Sequence, residues 1–417
     1  MRKNGPELEA DMSKTPAVAR RTALVVGLGI SGIACAIALH RAGWLPVVVE
    51  RAPARRRGGY FIAVMGVGRS AAADLGVGDR LVDHRAESMT YVIDRQGNRS
   101  PGLSFADIPI NPYLTMRGDV EDAVWKTLQE VAPDTEIHFS TTPTAIEQDG
   151  DCVEVTLEGP QGVSRRRFDL VIGADGIRST VHRLAFPPAL GGLQRLGTMI
   201  CAYALQEDLP TLPSGIGGQI IEPGRSFTVF PFDDRRSTVL FSWYAADPDA
   251  EREGKAAEQI RKSFGPEPLG PILEAALGQL ETSEAALFDI AEQVRLSTWY
   301  QGRVVLVGDS AWCPSLYSGM GASSGLAGAN VLGKRLEEHG DDIAAALADW
   351  EATMRPRIAE FQKSAETGIG VFTPASDKAI RIRKRAMSLL TNPIVRWVFS
   401  HVGKFLPVMQ QRERPIS

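Results

Sequence analysis

Residues 22–50 read TALVVGLGISGIACAIALHRAGWLPVVVE, and few architectures accommodate them. A β-rich run, Thr22–Val26, meets the glycine-rich turn Gly27-Leu28-Gly29-Ile30-Ser31-Gly32. Apolar residues at helical period follow over Ile33–Ala42, with a stop at Gly43, and a second apolar run, Pro46–Val49, ends in Glu50. This pattern predicts a βαβ unit. In a GxGxxG corner Gly27 permits the tight turn, Gly29 lets the backbone approach a pyrophosphate, and Gly32 lets helix and strand pack closely. The helix N-terminus then offers unpaired N–H groups and partial positive charge to a diphosphate. A carboxylate at the end of the next strand accepts ribose hydroxyls and repels a 2′-phosphate, so FAD or NAD suits Glu50 better than NADP does. Arg51 reads as a solvated or adenine-side residue.

The chain has 417 residues, 44% hydrophobic and 23% charged, with a formal charge of −4. That length predicts two or three structural units and a core that needs no disulfide or metal. The slight acidic excess argues against a nucleic-acid binder. The four cysteines, Cys35, Cys152, Cys201 and Cys313, show no CxxC spacing, and the six histidines form no ligand cluster, so reduced thiols and no metal are expected. Arg20-Arg21 before an apolar stretch faintly imitates a secretion signal, but the three glycines and the second strand favour a cofactor unit. No stretch has 18 uninterrupted apolar residues, so no membrane span is expected, and the thiols suit a cytoplasmic setting.

Further along, Arg55–Gly59 reads as a loop and Asp119–Val131 as an amphipathic helix. Thr144–Ile172 alternates and turns as a three-stranded meander would. Gly218–Ile221, Ser226–Phe232 and Thr238–Tyr244 predict an antiparallel sheet, followed by helical pieces at Ala250–Phe264 and Leu273–Thr282. The α/β pattern returns at Arg303–Val307. The fold expected is α/β: a Rossmann-like cofactor domain with a parallel sheet and a β-meander, interrupted by a substrate domain whose antiparallel sheet is covered by helices. The expected boundaries are 21–72, 105–185 and 288–370 for the cofactor domain, and 73–104 with 186–287 for the substrate domain. Residues 1–20 read as a disordered tail. Residues 371–417 read as a helical segment, with Ala379–Leu390 packed basic side outward and Val395–Phe399 largely apolar.

Two more corners share the chemistry of the first. Asp169-Leu170-Val171-Ile172-Gly173-Ala174-Asp175-Gly176-Ile177-Arg178-Ser179 ends a buried strand in a glycine-flanked Asp. Residues 308–330, GDSAWCPSLYSGMGASSGLAGAN, end another in Asp309. A hydrolase elbow is excluded there, because GxSxG needs glycine where Trp312 stands.

GLGISG with Glu50, DLVIGADGIRS and GDSAWCPSLYSGMG, in this order, resemble the three signatures of the class A flavoprotein aromatic hydroxylases. This p-hydroxybenzoate hydroxylase-like group of FAD-dependent monooxygenases includes tetracycline-modifying and polyketide-tailoring enzymes. The resemblance covers about residues 22–370, and VVVERAPARRRGGYFIAVMGVG resembles the stretch after the second strand in a bacterial subgroup. It implies an extended FAD with its adenosine end at Gly27, Gly29, Ile30, Ser31, Gly32, Glu50 and Arg51. It also implies Arg117 on the cofactor, Asp309 on the ribityl chain, and Asp175 with Arg178 serving FAD and the nicotinamide donor. Gly319, Met320, Gly321 and Ala322 would face the ring edge that turns negative on reduction, where a helix N-terminus contributes roughly 0.3–2 kcal/mol. By the same resemblance NAD(P)H reduces the flavin and O₂ forms a C4a-hydroperoxide, which oxygenates a hydrophobic, aromatic or polyketide-like substrate. An oxidase, dehydrogenase or reductase of the same fold, or a non-catalytic flavin-binding partner, stands as the alternative. No WxWxIP pattern points to a halogenase.

The loop departs from the family at Trp312, commonly His or Tyr; at Leu316, where a proline is expected although Pro314 remains; and at Met320, often Gln. Candidate pocket residues are Gln219, Phe230, Phe232, Trp243, Trp312, Pro314, Leu316, Tyr317 and Met320. Phe230 and Phe232 read equally as core, whereas Trp312 and Tyr317 are expected at the pocket. No His, Tyr or carboxylate stands out as a substrate base. Substrate identity, NADH or NADPH preference and oligomeric state are not legible.

Overall fold

In the computed structural model, which describes residues 20–55, 58–86, 89–102, 111–283, 285–390 and 407–416, the opening unit forms as its pattern dictates. Strand β1 (Thr22–Val26) leads into helix α1 (Ile30–Arg41), and β2 (Leu45–Val49) returns parallel to β1. The helix starts at Ile30, earlier than its apolar period suggests, because the second half of GxGxxG is already its first turn. A Cβ on Gly32 would lie 1.9 Å from the Gly27 carbonyl oxygen, and Gly27 itself has φ +105°. Neither position admits a side chain.

Strands β3 (Phe61–Val64), β4 (Thr90–Ile93), β5 (Arg99–Pro101) and β6 (Tyr113–Met116) come next, with α2 (Gly66–Asp74) after β3 and α3 (Arg117–Val131) after β6. β3 and β6 pair as a separate two-stranded ribbon. After β7 (Glu136–His138), the expected meander is built from β8 (Thr142–Gln148), β9 (Val153–Gly159) and β10 (Gly162–Phe168). Strand β11 (Leu170–Gly173) then precedes the short α4 (Thr180–Ala185).

The next sheet draws on β12 (Gly191–Ala204), β13 (Gly217–Glu222), β14 (Arg225–Phe230), β15 (Thr238–Tyr244) and β16 (Leu287–Leu296). Its strand order is β16-β12-β15-β14-β13-β4-β5. Alternation divides its faces. Met199, Cys201, Tyr203, Phe227, Val229, Val239, Phe241 and Trp243 form a core that includes Ile260, Phe264, Leu273 and Leu277. Those last residues lie on α6 (Ala256–Phe264) and α7 (Gly270–Leu280). The helix expected over Ala250–Phe264 is two, α5 (Pro248–Glu253) and α6, because Gly254 ends the first. Ile200, Ala202, Phe230 and Leu240 point to the opposite face, beside Tyr317.

The chain then re-enters the first sheet with β17 (Tyr300–Gln301) and β18 (Val304–Leu306), and the order there is β17-β18-β11-β1-β2-β7. β18, β11, β1 and β2 are adjacent and parallel. The three glycine corners and Glu50 follow the carboxyl ends of these four neighbouring strands, where open α/β sheets bind ligands. Helices α8 (Gly321–His339), α9 (Ile343–Phe372) and α10 (Asp377–Leu390) complete the order, with a last helix at Pro407–Glu413. Arg383 of α10 turns inward to Gln219, so its basic face is not wholly outward. Residues 1–19, Arg56-Arg57 and Val395–Phe399 lie outside the described residues.

The seam between α1 and α8 explains two of the glycines after Asp309. A Cβ on Gly325 would meet the Ser31 hydroxyl at 2.3 Å, and one on Gly333 would meet Ala38 at 2.8 Å. Gly328 faces the Trp312 ring in the same way. Gly333→Leu should therefore overpack this seam and cost about 1–3 kcal/mol, read as a lowered urea midpoint at unchanged slope. An unshifted midpoint would mean that the seam is loose.

Candidate active site

The corners are tied to one another through the backbone and two side chains. Gly27 N–H donates to Val49 O at 2.8 Å, Ala174 N–H to Val26 O at 2.8 Å, and Val307 N–H to Gly173 O at 2.9 Å. The Glu50 carboxylate accepts from the amides of Leu28 and Ala52, each at 2.9 Å, which holds it against the glycine turn. Ser310 Oγ accepts from Gly176 N–H at 3.0 Å and donates to Asp175 at 3.3 Å. Asp175 also accepts from Thr180 N–H at 2.6 Å and so braces α4. Arg178 donates to both oxygens of Asp289 at 2.7 and 2.8 Å and to Glu292 at 2.9 Å, joining this corner to β16. These pairs hold the Arg178 guanidinium above its usual range, whereas burial raises the Glu292 carboxyl.

Between the corners lies a cleft floored by glycine. A Cβ on Gly29 would meet nothing nearer than the Arg117 guanidinium at 3.8 Å, and one on Gly321 nothing nearer than Asp309 at 3.9 Å. Both glycines therefore face open space that side chains would fill. Arg117 is aimed by an ion pair at 2.9 Å to Glu121, whose side chain is 4% exposed. Asp309 is accessible from the cleft yet ringed by protein, which pushes its carboxyl above the ordinary range against the opposing pull of Cys313 and Arg117. Helices α1 and α8 begin here without a side-chain cap, while α4 and α9 carry Ser179 and Asp342 as caps. Two helix starts with open N–H groups, one cation and one carboxylate suit the diphosphate and the polyol of FAD. Ile30 and Met320 are buried and can offer only backbone to it, Ala322 is half-buried, and Arg51 is exposed. Ser31 directs its hydroxyl against Gly308 and Gly325.

The α8 start is held in place by its own loop. Gly319 adopts the left-handed helical conformation at φ +65°, and Ser315 has a positive φ of +71° with an extended ψ of 154°. Ser318 Oγ accepts from Met320 N–H, and Ser323 Oγ accepts from Met65 N–H at 2.9 Å.

The residues expected on the substrate side divide. Leu316 and Phe230 border the inward face of the second sheet, and Phe230 stacks on Phe61 with centroids 4.2 Å apart. Tyr317 is buried there, its hydroxyl bound to Ser242 at 2.5 Å and Thr198 at 2.9 Å. Trp312 is not at a cavity: it is 0% exposed, packs beside Trp299 and Trp350, and donates to Ser324. Met320 is likewise fully buried. Trp243 faces the helix-covered side, where it donates to Glu251, because odd positions of β15 point there. Phe232 is sealed between Phe61 and His84. Pro314 is buried with its carbonyl bound to Gln293, and Gln219 is engaged by Arg383. Sequence reasoning missed Tyr60 and Phe61, although Gly58-Gly59 just before them marked a turn. It also missed the cross-links of Ser310 and Ser323, which become visible only once the strands pair.

Glycine corners at the switch point of a parallel sheet define a dinucleotide-binding fold. Residues 20–360 match the FAD-binding domain family, so the chain belongs to it. It is similar to a flavin-dependent monooxygenase from an unidentified prokaryote, at 25% identity over 90% of this chain and 95% of the relative. A flavin-dependent monooxygenase of Legionella longbeachae is 26% identical over 82% and 86%. Among solved structures, tetracycline destructase Tet(51) superposes with a TM-score of 0.71 at 24% identity, covering 92% of this chain and 98% of that one. Klebsiella pneumoniae HpxO, solved with FAD and uric acid, gives 0.72 at 20% identity over 94% and 97%. The chain is a flavin-dependent monooxygenase.

Asp309 supplies a pH test. Its raised carboxyl favours the protonated form in the FAD-free fold. The associated stability is present below the ordinary aspartate range and is lost as pH rises through the raised value. FAD-free Asp309→Asn should therefore unfold at higher urea than wild type near about pH 7, with the gap closing toward about pH 4. Asp309→Ala should retain less FAD on gel filtration. Full FAD retention would remove Asp309 from the cofactor site.

Proposed function

We propose that this chain uses NAD(P)H and O₂ to place one oxygen atom on a hydrophobic aromatic or polyketide-like molecule. The observation that carries this reading is an apolar cluster on the inward face of the second sheet that stays partly open at one edge. Ile200, Ala202, Phe230, Leu240 and Ala291 pack with Tyr317 and with Ala365 and Ile369 of α9, and Tyr60, Phe61, Leu196, Leu287 and Leu316 form the partly open edge. When bound, FAD supplies the redox chemistry between nicotinamide and oxygen. Glu50 and Gly27–Gly32 would hold its adenosine end, Arg117 and Asp309 its ribityl chain, and the start of α8 the negative edge of its reduced ring. The apolar cluster orients the substrate and keeps water out, which protects a reactive oxidant from wasteful collapse. The uric acid of HpxO is also a compact planar molecule, which supports a flat substrate here. All four cysteines are unpaired thiols and no helix among the described residues could cross a membrane, in keeping with reaction in the cytoplasm.

Purified protein should be yellow and release FAD on denaturation. NAD(P)H consumption should be slow alone and rise several-fold with an accepted aromatic, with a product one oxygen atom heavier by mass spectrometry. Substrate loss without added oxygen would move the assignment to an oxidase or dehydrogenase.

A further inference from the structure

Tyr60 links the start of α3 to the apolar cluster of the second sheet. Its carbonyl accepts from Arg117 N–H at 3.0 Å, which fixes its backbone to the start of α3. Its side chain packs at the edge of the cluster formed by Phe230, Leu240 and Tyr317. From the other side, Arg117, Asp309, Cys313 and Asp289 all bear electrostatically on the phenol. Its backbone is thus tied to the Arg117 corner and its side chain to the apolar cluster, where it is half-buried rather than sealed. Among the described residues, no group hydrogen-bonds its hydroxyl. The contrast with its neighbours is informative. The Tyr317 hydroxyl is bound to two side chains and the Tyr203 hydroxyl to the Ala276 carbonyl, whereas the Tyr60 hydroxyl is left to the cleft. A half-buried phenol without a protein partner keeps its hydrogen bond available to whatever displaces water from it.

We propose that Tyr60 is a specificity-determining residue whose hydroxyl donates to an oxygen of the substrate, selecting aromatic molecules that carry a hydroxyl or keto oxygen. This rests on the monooxygenase reading above. Burial raises the phenol above its ordinary value, so the hydroxyl stays protonated at neutral pH and serves as a donor. A site built to hydrogen-bond a substrate oxygen rejects the analogue lacking it, because the buried group is then left unpaired. A wall of alkyl and phenyl groups alone discriminates weakly between the two.

The test uses FAD-loaded wild type and Tyr60→Phe, which keeps the ring and its packing. Each is offered matched pairs: 2-naphthol with naphthalene, and 1-hydroxyanthraquinone with anthracene. Binding is read from the perturbed absorbance of the bound flavin, and turnover from the ratio of oxygenated product to NAD(P)H consumed. Wild type should prefer the oxygen-bearing member of a pair by roughly tenfold or more. Tyr60→Phe should lose that preference and its coupling of NAD(P)H to product, with FAD content unchanged. Equal preference in the two proteins, or a loss that is the same for both members of a pair, would overturn the role of Tyr60 and leave the monooxygenase reading standing. Wild type that binds FAD but oxygenates neither member of any pair would count against both.

Discussion

The site depends on how closely two helices from opposite ends of the sequence approach each other. Ser31, in the first turn of α1, lies between Gly308 and Gly325, and a Cβ at either glycine would fall within about 2.5 Å of its hydroxyl. Any side chain there would push α8 and the loop before it away from the first corner. The cleft would then lose the distance over which Arg117 and Asp309 act together. Small residues on both helices thus set the width of a cofactor site that neither helix could form alone.

The second constraint is the two-faced sheet. Alternation sends Met199, Phe241 and Trp243 toward α6 and α7, where they build a core of their own. The same strands send Ile200, Leu240 and Phe230 to the opposite face, into a cluster with Tyr317, Ala365 and Ile369. One sheet therefore has a core with α6 and α7 on one face and a second apolar cluster on the other. Arg178 fastens the arrangement by reaching from the second corner to Asp289 and Glu292 on β16. Such a pair gains strength from partial burial, although Arg178 remains about a third exposed and its net contribution is modest.

Much of this was legible in the sequence. The βαβ unit, the meander and the three corners follow from glycine placement and apolar period, both local properties. The parallel order β18-β11-β1-β2 is what makes the corners converge, and no local pattern states it; the family resemblance supplied that expectation. The errors have a single cause. Trp312 and Trp243 looked like pocket residues because aromatic side chains near a functional loop are ambiguous until it is known which way each points. Trp312 instead fills the space that Gly328 leaves on α8, and Trp243 falls on the odd positions of β15. Tyr60 was missed for the converse reason. A lone tyrosine in a loop carries no periodic signal, and its place between the start of α3 and the apolar cluster arises from contacts far apart in sequence.

The central claim is that the first and third corners are two halves of one FAD site. Amide hydrogen exchange on the full chain, with and without FAD, tests it directly. FAD should slow exchange together at Gly27–Gly32 and at Gly319–Ser324, while α6 and α7 keep their rates. Protection confined to the first corner, with the α8 start unchanged, would contradict the account.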